Sequence, residues 1–155
     1  MNEAELAANE RLDERVIHDL NRDPKLPFDD ESFDVVVSSG AVTQTEDAGA
    51  LFAEARRVLK PGGHFVFTDP CQADDVPEGV LQPVYDRLQL TSLGSHRFYR
   101  DAAKALGFEI VRQDDMTDQL RTHYDRVRQE LVANYDMLRD NGASAEYLDK
   151  MIVGL

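Results

Sequence analysis

The chain has one cysteine, no tryptophan, four lysines and no cluster of basic residues in 155 positions. Cys71 alone can form neither an internal disulfide nor a thiolate metal site. His18, His64, His96 and His123 are scattered without HxH or HxxxH spacing, so no metal centre is expected. Only 17 Lys+Arg stand against 30 Asp+Glu, a net charge of −13. A surface of that sign repels phosphate, which argues against nucleic acid and an anionic membrane as partners. No apolar run approaches the ~20 residues of a membrane-spanning helix. The opening MNEAELAANE is acidic and polar, unlike a secretory leader. These absences predict a soluble, cytoplasmic chain, and its length suits one domain with a real core.

The organising stretch runs from Leu26 to Pro70 and reads as strand, loop, helix, turn, strand. Phe33-Asp34-Val35-Val36-Val37-Ser38-Ser39 is a near-continuous β-branched run, which predicts a strand buried on both faces of a parallel sheet. Asp47 is a good N-cap for a helix whose apolar stripe is Leu51, Ala55, Val58 and Leu59. Lys60-Pro61-Gly62-Gly63 stops that helix, and His64-Phe65-Val66-Phe67-Thr68 follows as a second buried strand. Phe28 is expected to pack against the sheet, and Asp34 to bond local backbone N–H groups.

Elsewhere the pattern predicts a short helix over Glu3–Leu12 and strands over Arg15–Leu20 and Phe108–Gln113. Further helices are expected over Glu78–Leu90, Arg100–Leu106 and Leu120–Arg139, with Ser144 capping a last one. Ser38-Ser39-Gly40-Ala41 sits at the carboxyl end of the first buried strand, where ligands bind in open parallel sheets. Thr68-Asp69-Pro70 closes the next strand on the same edge, so Asp69 and Gln72 would face a substrate. Asp69 equally suits a strand-end turn before proline. Arg87 has the geometry to pair bidentately with a carboxylate, or is a surface arginine. Tyr99 and Tyr124 offer ring faces to a cation or are plain core.

The sequence LPF-DD-x-SFD-VVV followed by RVLKPGG-x-FVF-x-D resembles the second half of the class I S-adenosylmethionine-dependent methyltransferases. The stretches TDPCQADD, PEGVLQP, LGS and FYR after Thr68, with THY-x-RV and YLDKM near the end, are similar to the sarcosine/dimethylglycine N-methyltransferases of glycine betaine synthesis. The resemblance implies an α/β fold: an incomplete Rossmann-like sheet, spanning 1–155 as a single partial methyltransferase domain. In the family order 3-2-1-4-5-7-6 it would supply strands 3, 4, 5 and 6. The glycine-rich turn of the first strand and the strands around it have no counterpart here, and the chain is expected to be weak or inactive alone.

The resemblance also implies roles. Asp19 would meet the adenine amino group, with the backbone of Leu20 or Asn21 on a ring nitrogen, unless Asp19 only caps a turn. Ser38, Ser39 and Gly40 would line the methionine end of the cofactor, Asp69 would be the catalytic carboxylate, and Gln72 and Arg87 would hold a small amine. Gly40 to Gln44 depart from the group, which usually carries a polar residue and then a histidine in this loop, so a different acceptor stays open. So does a non-catalytic α/β module that works by association, with a homodimer or strand swap completing the sheet.

Overall fold

In the computed structural model of the chain, residues 8–154 are described. They form two compact units, residues 1–69 and 70–155 in extent. Part of the helix expected over Glu3–Leu12 lies outside the described residues; from residue 8 to 12 the chain is in turns.

The first unit is built on strand β1 (Phe33–Ser39), a 3-10 turn (Val42–Gln44), helix α1 (Ala48–Val58) and strand β2 (Leu59–Thr68). β1 and β2 pair in parallel, from Val35 opposite His64 to Ser39 opposite Thr68. Asp47 caps α1, its carboxylate accepting from the Ala50 N–H at 2.9 Å. The expected stop at Lys60-Pro61-Gly62-Gly63 falls instead inside β2: Leu59 already pairs with Phe33, and the register slips before His64. Pro61 has no N–H to give a ladder, so a bulge absorbs it.

α1 covers one face of this pair. Phe52 is fully buried, its ring 5.2 Å from both Phe65 and Phe67, with Val42, Val58 and Leu59 beside it. The other face is open, with Val35 50%, Val37 71% and Val66 50% exposed, so the strand expected to be buried on both faces is buried on one. Phe28 meets Phe33 edge-on at 5.0 Å, as expected. Asp34 instead pairs with Lys60 at 2.9 Å.

Glu54, the one buried charged side chain among the described residues, holds the entrance to β1. Its carboxylate accepts from the Leu26 N–H at 2.6 Å and from Arg57 Nε at 2.8 Å. Arg57 in turn donates to the Leu26 carbonyl at 3.1 Å and to Asp30 at 2.6 Å. The Arg57 hydrogen bond, ahead of the opposing effect of burial, holds the Glu54 carboxyl below its usual range.

The second unit is helical: α2 (Gln82–Leu88), α3 (His96–Ala105), α4 (Thr117–Ala133), α5 (Tyr135–Asp140) and α6 (Ala145–Gly154). Leu93, Tyr99, Leu148 and Gly154 are its buried residues. α3 starts earlier than expected because Ser95 caps it, accepting from the Phe98 N–H at 3.2 Å. Asp74 reinforces that end by accepting from the Arg97 N–H at 3.0 Å. The long helix expected over Leu120–Arg139 breaks at Asn134, whose side chain donates to the Glu130 carbonyl at 2.9 Å and competes with the helical ladder. Ser144 caps α6 as expected, accepting from the Tyr147 N–H.

Two expected strands do not form. Arg15–Leu20 and Phe108–Gln113 carry no ladder bonds among the described residues, and Ile17 and Val111 face solvent. A strand exists only through a partner that satisfies its backbone groups. Among the described residues only β1 and β2 form a sheet, beside one isolated parallel bridge between Gln72 and Ser95.

Candidate functional site

The carboxyl ends of β1 and β2 gather four of the residues singled out from the sequence. Ser39 pairs with Thr68, and the Gly40 N–H donates to the Thr68 carbonyl at 2.7 Å. Gly40 has φ +62°, a left-handed turn that lets the chain leave β1 sharply over the strand end. Asp69 follows Thr68 directly. Its carboxylate accepts from the Thr43 N–H at 3.3 Å and the Thr43 hydroxyl at 3.4 Å. Both strand ends and the 3-10 turn between them therefore converge on one edge.

Ser38 differs from its neighbours. Its Oγ is buried and has no hydrogen-bond partner among the described residues. Leaving a buried hydroxyl unpaired costs stability, so such an atom marks either strain or a place kept for a ligand. Ser39 and Thr68 are exposed, and their hydroxyls approach at 3.4 Å.

Asp19 begins a tight turn, accepting from the Arg22 and Asp23 N–H groups through its carbonyl and from the Asn21 N–H through its carboxylate at 3.0 Å. The turn-capping role is thus realised. Asn21 ties this loop to the 3-10 turn: it donates to the Gln44 carbonyl at 3.2 Å and accepts from the Glu46 N–H at 2.9 Å. Between the tied segments lies an open hollow of about 170 Å³ bounded by Leu20, Asn21, Pro24, Thr45, Asp47 and Leu51, among others. Asp19 itself does not line it.

In the second unit, Gln72 and Arg87 are both half-buried and already engaged. Gln72 Oε1 accepts from the Tyr85 hydroxyl at 2.5 Å and the Leu93 N–H at 3.4 Å, while its backbone N–H donates to the Gly94 carbonyl at 2.9 Å. Arg87 Nε donates to the Gly154 carbonyl at 3.0 Å, and its guanidinium carbon lies 4.9 Å from the centre of the Tyr124 ring. Tyr99 is core; Tyr124 is the aromatic that meets a cation, and the cation is the protein's own. Thr43 and Tyr85 escaped the sequence reading. A hydroxyl shortly after a strand-end glycine was the only sign of Thr43, and Tyr85 has the spacing of a helix-core residue. No group of three or more metal-binding side chains occurs among the described residues.

An α/β crossover with polar residues at the carboxyl strand ends is the general ligand-binding arrangement of open parallel sheets. Comparison agrees: residues 2–67 match the family model described as a methyltransferase domain. Through most of its length the chain is a sequence relative of the sarcosine/dimethylglycine N-methyltransferases. It is 52% identical over 131 residues to the sarcosine/dimethylglycine N-methyltransferase of Aphanothece halophytica, covering 84% of this chain and 47% of that one. With the enzyme of the same description from Halorhodospira halochloris it shares 46% over 130 residues, covering 84% and 46%. A solved structure from Galdieria sulphuraria, described as a candidate sarcosine dimethylglycine methyltransferase, superposes with a TM-score of 0.73 at 33% identity. It covers 84% of this chain and 48% of that one. The chain thus spans about half the length of the curated relatives it matches.

Proposed function

We propose that the chain serves S-adenosylmethionine-dependent N-methylation of a small amine of the sarcosine or dimethylglycine class, in the cytoplasm. The observation that carries this reading is the meeting of Ser38, Ser39, Gly40 and Asp69 at one strand edge, in a sequence half identical to two such enzymes. The cofactor supplies an activated sulfonium methyl: the amine lone pair forms the new N–C bond as the C–S bond breaks and sulfur keeps the electron pair. The residues fit such a ligand at one atom in particular, the unpaired Ser38 Oγ, which would donate to its methionine end. The adenine would lie against Leu20, with Asp19 released from its turn to accept from the ring amino group.

The chain's own chemical task is small. An amine attacks only through a free lone pair, so its ammonium proton must leave first. Asp69, which accepts from the Thr43 N–H and hydroxyl, would accept it. Holding the amine in line with the methyl is the main requirement of such a displacement. Incubation of the chain with S-adenosylmethionine and dimethylglycine, followed by proton NMR, tests the reading. A trimethylated product supports it; unchanged dimethylglycine alongside bound cofactor would sink it.

A second reading rests on the open valine face of β1 and β2. An apolar face of this kind suits association, by a homodimer or an exchanged strand. Sedimentation at rising concentration would show a dimer that Val37→Lys abolishes.

No helix of the described residues is long and apolar enough to cross a membrane.

A further inference from the structure

α4 is the longest helix among the described residues, yet neither it nor α5 has a buried residue. An amphipathic helix in water draws most of its stability from an apolar face covered by packing. α4 touches α6, and the Tyr124 ring lies beneath the Arg87 guanidinium. The rest of its apolar stripe stays open. Val127 and Leu131 of α4, with Met137 and Leu138 of α5, line a hollow of about 410 Å³. Leu120, two turns before Val127 on the same stripe, is 37% exposed, and Met137 is 51% exposed.

Arg126 and Glu130 line the same hollow, one turn apart on one flank of α4. They do not pair with each other among the described residues, whereas Glu146 and Lys150, at the same spacing, do so at 2.9 Å. The order of the charges accounts for this: a carboxylate four positions before a cation suits a helix better than the reverse. Glu130 turns to Asn134 instead, accepting from its Nδ2 at 3.2 Å. A cation and a carboxylate on one flank are what an antiparallel copy of the same helix matches. A twofold axis between them brings each Arg126 to the partner's Glu130. The same axis, level with Arg128 and Gln129, sets Leu120 opposite the partner's Met137 and Val127 opposite the partner's Leu131. α4 also carries three arginines against three carboxylates, so in a chain of net charge −13 it adds nothing to the repulsion between copies.

We propose that α4 and the start of α5 form an antiparallel twofold interface between two copies of this chain. Val127, Leu131 and Met137 make its apolar centre, and two Arg126–Glu130 pairs make its rim. The surface lies wholly in the second unit and depends neither on the methyl-transfer reading nor on the open valine face.

The test is sedimentation equilibrium of the full chain carrying Val37→Lys, which closes the valine face to association. A monomer–dimer equilibrium remains. Arg126→Glu weakens it tenfold or more, because both ion pairs become like-charge contacts, and Glu130→Arg does the same. Arg126→Glu combined with Glu130→Arg restores the dimer to within threefold. Met137→Glu, at a side chain already half exposed, abolishes the dimer while thermal unfolding stays cooperative. A chain that stays monomeric at every concentration, or a dimer indifferent to Arg126→Glu and Met137→Glu, would overturn the proposal. So would a double exchange as weak as either single change, because the two charges would then not be partners across a twofold axis.

Discussion

Replacing Ser38 by alanine separates what the residue does for the fold from what it does for a ligand. In the folded chain Ser38 Oγ is out of water and without a partner. In the unfolded chain the same hydroxyl is hydrated. The folded state therefore bears a desolvation cost of about 1–3 kcal/mol for that group. Alanine removes it while adding almost no cavity, and gives back a few tenths of a kcal/mol through its poorer strand propensity. The net expectation is a gain of about 1 kcal/mol or more, a rise in Tm of roughly 2–4 °C for each kcal/mol in a chain of this size. Thermal unfolding followed by circular dichroism reads this directly. Ser39→Ala, at an exposed position, serves as the control and should change stability by no more than about 0.5 kcal/mol. If the hydroxyl is kept for a ligand, the stabilised Ser38→Ala chain also binds S-adenosylhomocysteine less tightly. A drop in Tm would refute the reasoning, because it would mean the hydroxyl is satisfied in the native state.

Other substitutions test neighbouring claims. Gly40→Ala meets no atom within 4 Å but must hold φ +62°, so it should cost about 1–2 kcal/mol, read as a lower urea midpoint with an unchanged slope. Gln89 ends α2 at φ 56°, ψ 39°, and Gln89→Gly should stabilise the second unit by roughly 0.5–1 kcal/mol in the same assay. The Glu54 carboxyl lies below its ordinary value of 4.5, so the unfolded chain takes up that proton first as pH falls. Its contribution is complete above about pH 4.5 and disappears as pH drops through the folded value. Urea unfolding from pH 7 to 3 should therefore show less pH dependence in Glu54→Gln, from a lower starting stability.

Much of the first unit was legible because its signals are local. An N-cap aspartate, an apolar helical stripe, one β-branched run and one run of aromatic and β-branched residues specify β1, α1 and β2 with little help from elsewhere. What the sequence hid depends on partners. Phe108–Gln113 alternates like a strand, yet alternation says only which face would be buried, not that a neighbouring ladder exists. Val35 and Val37 read as doubly buried for the same reason: a hydrophobic run records what a face can bury, while the observed exposure records what covers it. At the site, the strand-end position of Ser38, Ser39, Gly40 and Asp69 followed from the general rule for parallel sheets. The bond from Thr43 to Asp69 and the stacking of Arg87 on Tyr124 span 26 and 37 positions, and no spacing rule reaches that far. Asn134 shows the opposite case. A single side chain competing for its own backbone cut a helix that the apolar stripe alone would have continued.

Calorimetric titration of the chain with S-adenosylhomocysteine tests the methyl-transfer account most directly. The account predicts saturable binding of one ligand per chain, weakened roughly tenfold in Asp19→Ala by loss of about one charge-assisted hydrogen bond. No heat at millimolar ligand, in a chain shown to be folded by its cooperative thermal transition, would contradict it.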